Sequence, residues 1–215
     1  MTLALYSYFR SSAAFRVRIA LELKGADYRI IPVNLLAGEQ REPAFRARNP
    51  QGFVPALELP DGSLLTQSAA IIEWLEATQP GRPLLPATEP ERARIRAICG
   101  VVACDIHPLN NLRVLKYLTG DLGLSEDQKL AWYRHWVIVG FEALEPQLAN
   151  DVATGRYCHG DQPGLADVAL VPQVANARRF GVDLAPYPTI RRIDEACRQL
   201  APFRSAAPEN QPDAE

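Results

Sequence analysis

The chain contains 215 residues, of which 47% are hydrophobic and 22% are charged, the proportions of a globular protein. This length can bury a sizeable core and form either one domain or two small ones. Because 23 basic residues nearly balance 25 acidic ones, the formal net charge is only −2. No overall positive field would attract nucleic acid or an anionic membrane, so we expect neither partner, and any anion site must be local.

The sequence also predicts a cytoplasmic protein without a metal site. No stretch approaches the roughly 18 uninterrupted apolar residues of a membrane span, and the first residues resemble a strand rather than a secretion signal. The four cysteines are Cys99, Cys104, Cys158 and Cys197. Their spacing matches neither a redox pair nor a zinc-ligand pattern, so we expect reduced and mostly buried thiols.

The first 80 residues alternate strand and helix signals. The predicted elements are a strand near 3–6, a helix near 13–24, a strand near 28–33, a polar connection with Gly38 and Pro43, a strand near 56–59, a turn at 60–62, a strand at 64–65 and a helix from 67 or 68 through 77. This order predicts a βαβ unit followed by a β-hairpin and a helix.

A proline-rich segment at 79–86 interrupts the helical pattern, and the chain beyond it lacks strand alternation. We therefore predict an α/β domain over residues 1–80 and an all-α domain over residues 87–215. The predicted helices of the second domain cover 89–118 with a kink at Pro108, 125–149 with a Ser125–Gln128 capping box, 164–179 and 188–199. The polar tail after Pro208 is expected to fray.

Two serines, Ser11 and Ser12, lie where the first helix begins. Serine is a preferred N-cap, so a purely structural role is one interpretation. The backbone N–H groups and partial positive charge of a helix N-terminus also suit a bound anion or thiolate. This stretch alone leaves both interpretations open.

Two further features favour a peptide-shaped ligand that carries an anion. Pro55 directly precedes a strand. A cis peptide bond there would direct the Val54 backbone outward to pair with an extended peptide. An ordinary trans proline is the alternative. Gln67 and Ser68 open the next helix and provide a second N-terminus suited to a carboxylate. Together with Ser11, these residues predict one binding site.

Several motifs are spread along the chain: Tyr6–Ser12, Arg16–Leu21, Asn49–Gly52 with Pro55, Gln67–Ser68, Cys104–Asn111 and Leu170–Phe180. Through these motifs the sequence resembles the zeta class of glutathione transferases over nearly its whole length. The resemblance implies a thioredoxin-like N-terminal domain, an all-helical C-terminal domain, a glutathione cofactor and a homodimer.

The resemblance also implies roles for individual residues. Ser11, with Ser12 beside it, corresponds to the serine that stabilises the glutathione thiolate. The positions implied to hold the tripeptide are Gln40, Val54, Pro55, Gln67 and Ser68, and those implied to bind substrate carboxylates are Arg10 and Arg179. His107 and Arg113 are candidates for the substrate cleft, whereas Arg16 and Arg18 are expected to be structural or interface residues.

The sequence departs from the class at two positions. Ala13 stands where the class usually has a cysteine, so no protein thiol at this position can act as the nucleophile. Gly164 stands where transferases commonly have Ser or Thr paired with an Asp three residues later. Because Asp167 is present, we expect about half of that capping box to survive.

The activity implied is the isomerisation of a diketo diacid, maleylacetoacetate, to its trans isomer fumarylacetoacetate in tyrosine and phenylalanine catabolism. Reversible addition of the glutathione thiolate to the double bond would permit rotation and then regenerate glutathione. Isomerisation of maleylpyruvate and transfer of glutathione to α-haloacids remain alternatives. A non-catalytic transferase-like module is disfavoured, because such modules often lose the first serine.

Overall fold

The computed structural model describes residues 2–214 and divides the chain into two compact units. One unit contains the chain up to Leu84 together with the segment from Arg198 onward, and the other spans Leu85–Cys197. The first division lies inside the proline-rich segment, where proline cannot continue a helix. The second boundary, between Cys197 and Arg198, has no counterpart in the predicted domains, which assigned the whole of 87–215 to the helical part.

A mixed four-stranded sheet forms the centre of the first unit. Its strands are β1 (Leu3–Ser7), β2 (Tyr28–Pro32), β3 (Ala56–Glu58) and β4 (Leu64–Thr66), arranged in the order β2-β1-β3-β4. β1 is parallel to β2 and antiparallel to β3, and β4 is antiparallel to β3. A parallel pair needs a crossover connection, which the first helix supplies, so the predicted βαβ unit and hairpin are confirmed.

The α-helices of the N-terminal part of this unit are α1 (Ser12–Lys24), α2 (Pro43–Arg48) and α3 (Ser68–Thr78). Helix α1 is buried along most of its length and ends at Gly25, whose φ of +62° allows the left-handed C-cap. Helix α2 lies in the segment predicted only as a polar connection, because one and a half turns are too short to show a helical period. Helix α3 packs against α1.

The described part of the second unit is built from helices. They are α4 (Glu89–Gly100), α5 (Leu112–Gly120), α6 (Glu126–Ala149), α7 (Leu165–Arg179) and α8 (Pro188–Arg198). The predicted capping box opens α6: the Ser125 hydroxyl accepts from the N–H of Gln128, whose side-chain oxygen accepts from the Ser125 N–H. The predicted fold class, an α/β domain followed by a helical part, is confirmed.

The chain between α4 and α5 differs from the predicted kinked helix. It widens into π-helical geometry at Val101–Ile106 and forms a 3-10 turn at Pro108–Asn110, so the helix ends instead of bending. Gly140 of α6 makes room for this segment, since a Cβ atom there would lie 2.2 Å from Cδ1 of Ile106. A short π-helical segment changes the spacing of the apolar residues too little to be predicted from the sequence.

The C-terminal segment is ordered and belongs to the first unit. Helix α9 (Ala201–Ala206) packs against α1. The buried Gln211 donates its side-chain N–H groups to the carbonyls of Ser205 at 2.9 Å and Ala207 at 2.8 Å. The expectation of a frayed tail after Pro208 is therefore wrong, because the hydrogen bonds of Gln211 hold this segment.

Two other expectations concern the membrane and the cysteines. Among the described residues, none of the helices combines the length and the apolar character that a bilayer crossing requires. None of the four cysteines forms a disulfide within residues 2–214, and Cys158 and Cys197 are buried. Cys104 is exposed on the π-helical segment, so the expectation of mostly buried thiols fails at this position.

Candidate active site

The turn between β1 and α1 presents Ser11 at the N-terminus of α1. The Ser11 hydroxyl oxygen accepts a hydrogen bond from the N–H of Ala14 at 3.2 Å, and Ser11 has the extended φ and ψ of an N-cap. Accepting this bond uses a lone pair and leaves the hydroxyl hydrogen available for donation. Capping therefore leaves the part of the hydroxyl group that the predicted thiolate stabilisation would use.

The residues on either side of Ser11 differ sharply in exposure. Ser12 is buried, with 7% of its surface accessible, in the first turn of α1. Arg10 is exposed, and its guanidinium lies 4.7 Å from the centre of the Phe9 ring. The turn thus combines a helix N-terminus, a hydroxyl donor and a cation that reaches solvent, which together favour an anionic ligand.

The segment before β3 lies next to this turn. The Val54–Pro55 peptide bond is cis, which answers the question that the sequence left open. Val54 belongs to a small apolar cluster with Tyr8, Phe9 and Val33. Val54, whose backbone is predicted to pair with a peptide, therefore packs with residues of the turn that leads to Ser11.

The start of α3 provides the second helix N-terminus. Gln67 is exposed and has φ of +68°, an unusual conformation for a residue with a Cβ atom, and its side-chain N–H donates to Oε1 of Gln51 at 2.8 Å. The half-buried Ser68 hydroxyl lies 3.5 Å from a guanidinium nitrogen of Arg16, a residue of α1 that is 3% exposed. Arg16 thereby connects the beginnings of α1 and α3.

Gln40 lies beside the loop that precedes Pro55. A Cβ atom on Gly52 would lie 2.8 Å from the Gln40 carbonyl oxygen, and Gly52 has φ of +64°, so only glycine allows this approach. The Gln40 side chain is 7% exposed and donates to the carbonyl of Leu35 at 3.5 Å. Its amide oxygen is buried and has no donor among residues 2–214.

These residues fit a peptide that bears an anion and a thiol. Two helix N-termini offer N–H groups, the Val54 backbone precedes a strand, and the Gln40 amide oxygen is an acceptor that a peptide N–H could satisfy. All the residues predicted to hold glutathione lie in the first unit. Their roles in binding stay predictions.

The predicted substrate residues of the helical part lie in the second unit. Arg179 is the last residue of α7, is exposed, and lies 5.2 Å from the centre of the Phe180 ring. Phe180 stacks on Tyr133 at 3.7 Å, and its carbonyl accepts from Arg134 at 2.7 Å. Burial raises the pKa of the Tyr133 phenol, and the nearby Arg179 cation opposes that rise.

His107 and Arg113 flank the 3-10 turn between α4 and α5. His107 is half-buried, whereas Arg113 is exposed and its backbone N–H donates to the Asn111 side chain. The neighbour of Arg179, Arg178, forms an ion pair at 2.5 Å with Asp194, which is fully buried. Arg178 therefore has a structural partner in α8.

The start of α7 keeps half of the expected capping box. The Asp167 carboxylate accepts from the N–H of Gly164 at 2.8 Å and from the N–H of Cys158 at 2.9 Å. Gly164 has no side chain to return the bond. Burial raises the pKa of Asp167 despite these two donors.

Two residues that contact the Ser11 turn were not predicted as site residues. Arg18 was expected to be structural, and Asp213 lies in the tail that was expected to fray; both bond to the backbone just before Ser11. A single sequence gives no signal for this contact, because the two residues are 195 positions apart.

The N-terminal part of the chain matches a known domain family. Residues 10–78 match the model for "Glutathione S-transferase, N-terminal domain". Among curated proteins, a maleylpyruvate isomerase of a Ralstonia species is 51% identical over 98% of this chain and 99% of its own length. The maleylacetoacetate isomerase of Pseudomonas aeruginosa is 51% identical over 97% of both chains.

Solved structures show the same likeness. A holo structure of maleyl pyruvate isomerase, described as a bacterial glutathione S-transferase of the zeta class, superposes with a TM-score of 0.96, is 50% identical, and covers 99% of this chain and 100% of its own. A maleylacetoacetate isomerase from Anaeromyxobacter dehalogenans 2CP-1 has a TM-score of 0.89, 49% identity, and covers 100% of this chain and 98% of its own. The latter structure contains dicarboxyethyl glutathione and citrate in its active site.

Proposed function

Because this chain belongs to the zeta class of glutathione transferases, we propose that it isomerises maleylacetoacetate to fumarylacetoacetate with glutathione as its cofactor. This activity belongs to the catabolism of tyrosine and phenylalanine. The observation that carries the proposal is the geometry of Ser11, whose hydroxyl caps α1 with its oxygen and keeps its hydrogen for a thiolate. A serine that served only as an N-cap would not require a second helix N-terminus at α3 or the buried amide oxygen of Gln40.

When bound, glutathione supplies a thiolate that adds reversibly to the double bond, so that this bond becomes single, rotates, and re-forms when the thiolate leaves. Ser11 and the N-terminus of α1 stabilise the negative charge on sulfur. Gln40, Val54, Gln67 and Ser68 bind the rest of the tripeptide. Since Ala13 replaces the usual cysteine, the nucleophile is the sulfur of the cofactor rather than a protein thiol.

We assign the two substrate carboxylates to Arg10 and Arg179. Both guanidinium groups are exposed and lie over an aromatic ring, at 4.7 Å and 5.2 Å, which restricts their orientation. Arginine forms bidentate bonds to a carboxylate and keeps its charge at every physiological pH. As charge moves from sulfur onto the substrate, these cations stabilise the transition state more than the ground state.

The dicarboxyethyl glutathione bound to one relative supports this chemistry. A dicarboxyethyl group on glutathione is the product expected when a thiol adds across the double bond of a diacid. That relative is 49% identical over the full length of this chain, so a pocket for such a species is expected here as well.

Maleylpyruvate is the second candidate substrate. It needs the same thiolate and the same two carboxylate sites, and a relative named maleylpyruvate isomerase is 51% identical. Because the two reactions share their chemistry, only the length of the diacid separates them. Transfer of glutathione to α-haloacids would use a subset of the same residues.

The test is an isomerisation assay with purified protein and each cis diacid, with and without glutathione. We expect formation of the trans isomer only in the presence of glutathione, with the higher kcat/KM on maleylacetoacetate. Faster turnover of maleylpyruvate would reassign the substrate. Glutathione binding without activity on either diacid would refute the proposal in favour of a transferase or a non-catalytic module.

We further propose that the enzyme is a cytoplasmic homodimer, as the resemblance to its class implies. Sedimentation analysis at micromolar concentration tests the dimer. A species of one chain at all concentrations would exclude it.

A further inference from the structure

A buried arginine lies beneath the turn that carries Ser11. Arg18 projects from α1 and has no accessible surface. One guanidinium nitrogen donates to the Ser7 hydroxyl at 2.9 Å and to the Tyr8 carbonyl at 3.5 Å, and the other donates to the Phe9 carbonyl at 3.1 Å. The side chain thus binds three consecutive residues that lead into the turn.

The same arginine binds the C-terminal segment. Its Nε donates to the carbonyl of Ala206, at the end of α9, at 2.8 Å. Seven residues later, a carboxylate oxygen of Asp213 accepts the backbone N–H of Phe9 at 2.9 Å. The C-terminal segment therefore reaches the turn both through Arg18 and directly.

These bonds engage four backbone groups of the turn. The N–H of Ser11 closes the turn on the Tyr8 carbonyl at 2.9 Å, the Phe9 N–H goes to Asp213, and both carbonyls accept from Arg18. A turn whose N–H and carbonyl groups are bonded to fixed partners has less freedom to change its φ and ψ angles. Ser11 ends this turn, so its position depends on these partners.

The charges of the two side chains are complementary. Burial lowers the pKa of Arg18 to about 10, and the neighbouring Asp213 carboxylate counteracts this effect. Arg18 therefore stays cationic at neutral pH. Oδ1 of Asp213 is buried and has no hydrogen-bond partner among residues 2–214, so the carboxylate is held at this place by one hydrogen bond and by the attraction to Arg18.

We propose that Arg18 and Asp213 are positioning residues for the reaction, and that together they hold the Tyr8–Ser11 turn so that the Ser11 hydroxyl serves the glutathione thiolate. The C-terminal segment, which is remote in sequence, is then part of the catalytic architecture. This inference rests on the proposed function for its catalytic consequence. The restraint of the turn itself does not require that function.

Asp213 gives the sharper test, because its removal leaves the core of the sheet and α1 untouched. We expect Asp213→Ala to lower kcat at neutral pH severalfold, and the loss to shrink as the pH rises, since a higher thiol pKa leaves less thiolate at pH 7 but little less at pH 9. The matched control is Glu209→Ala, an exposed acid in the same segment, for which we expect no change. A loss that is equal at every pH, or a variant that behaves like Glu209→Ala, would overturn the proposal.

Two measurements without substrate complete the test. Ultraviolet titration of the glutathione complex should give a thiol pKa about one unit higher in Asp213→Ala. Hydrogen exchange of the free protein should be faster at the amides of residues 9–11 in Asp213→Ala than in Glu209→Ala. Unchanged exchange and an unchanged thiol pKa would each contradict the proposed restraint.

Two substitutions of Arg18 separate the effect of its charge from the effect of its hydrogen-bond donors. Arg18→Lys keeps the charge but cannot donate to the Phe9 and Ala206 carbonyls together, whereas Arg18→Met removes both the charge and the donors. We expect hydrogen exchange at residues 9–11 to be fastest in Arg18→Met and intermediate in Arg18→Lys. If the wild-type protein neither bound glutathione nor isomerised a diacid, the proposed function would fail, while hydrogen exchange would still decide whether the restraint exists.

Discussion

The Ser11 hydroxyl accepts the N–H of Ala14 at 3.2 Å, and this single bond joins the stability of α1 to the chemistry at its N-terminus. The oxygen caps the helix while the hydrogen remains for an anion. In the proposed mechanism one group performs both functions, so a variant that preserves only one of them can separate the two contributions.

Ser11→Ala should lose both functions, whereas Ser11→Asp should lose only one. Aspartate is an effective N-cap, so we expect Ser11→Asp to keep the wild-type melting temperature and Ser11→Ala to be about 1 kcal/mol less stable. Neither variant can donate to the thiolate, and the aspartate also repels it. We expect kcat at pH 7 to fall about tenfold or more in both, with the larger loss in Ser11→Asp, as measured by the isomerisation assay.

The opposite ranking would contradict this interpretation. If Ser11→Asp retained activity while Ser11→Ala lost it, the serine would act only through the helix cap. The same conclusion would follow if the thiol pKa of bound glutathione remained unchanged in both variants.

Gln67 combines an unfavourable backbone conformation with a predicted binding role. Its φ of +68° costs on the order of 1 kcal/mol for a residue with a Cβ atom, and glycine removes that cost. We expect Gln67→Gly to be more stable than Gln67→Ala by about 1 kcal/mol in chemical denaturation. Both variants lose the side-chain amide, so both should show the same increase in KM for glutathione.

An unchanged KM in Gln67→Ala would exclude the side chain from glutathione binding. A KM that rises only in the glycine variant would show instead that the backbone conformation, and not the amide, matters for binding.

Arg179 should contribute to transition-state binding of the diacid. Loss of a charged, bidentate hydrogen bond costs about 1.5–3 kcal/mol, so Arg179→Ala should lower kcat/KM about 10- to 100-fold. Arg179→Lys should recover only part of this loss, because lysine cannot form the bidentate pair. Arg191→Ala, which removes an exposed cation from α8, is the matched control. A wild-type rate in Arg179→Ala would remove this residue from the mechanism.

Gly140 tests the packing of the π-helical segment. Because a Cβ atom would lie 2.2 Å from Cδ1 of Ile106, Gly140→Ala should destabilise the protein by about 1–3 kcal/mol. Gly100→Ala is the control, since Gly100 is also helical and, beyond its own helix backbone, a Cβ atom there would meet none of residues 2–214 within 4 Å. We expect the control to be neutral or slightly more stable in thermal denaturation. Equal melting temperatures for the two variants would mean that Ile106 moves aside without cost.

The regular elements could be predicted because their signals are local. The short apolar run of β1, the Ser125–Gln128 box of α6 and the prolines between the units each depend on residues close in sequence. Helix α2 and the π-helical segment were missed because each covers six residues, which is too short for a helical period to stand out.

The contacts of the C-terminal segment could not be predicted for a different reason. Residues such as Gln211 and Asp213 are polar, and composition associates polar tails with disorder. Here their hydrogen bonds to Ala207 and Phe9 fix the segment, and such partners are visible only in three dimensions. The buried Arg18 likewise resembles an exposed helix cation until its four acceptors are known.

The most direct test of glutathione as a regenerated cofactor is turnover with less glutathione than substrate. With one glutathione for every hundred molecules of maleylacetoacetate, the account predicts complete conversion to fumarylacetoacetate and full recovery of the free thiol. Conversion that stopped after one equivalent, with glutathione left attached to the product, would identify a transferase and contradict the isomerase mechanism.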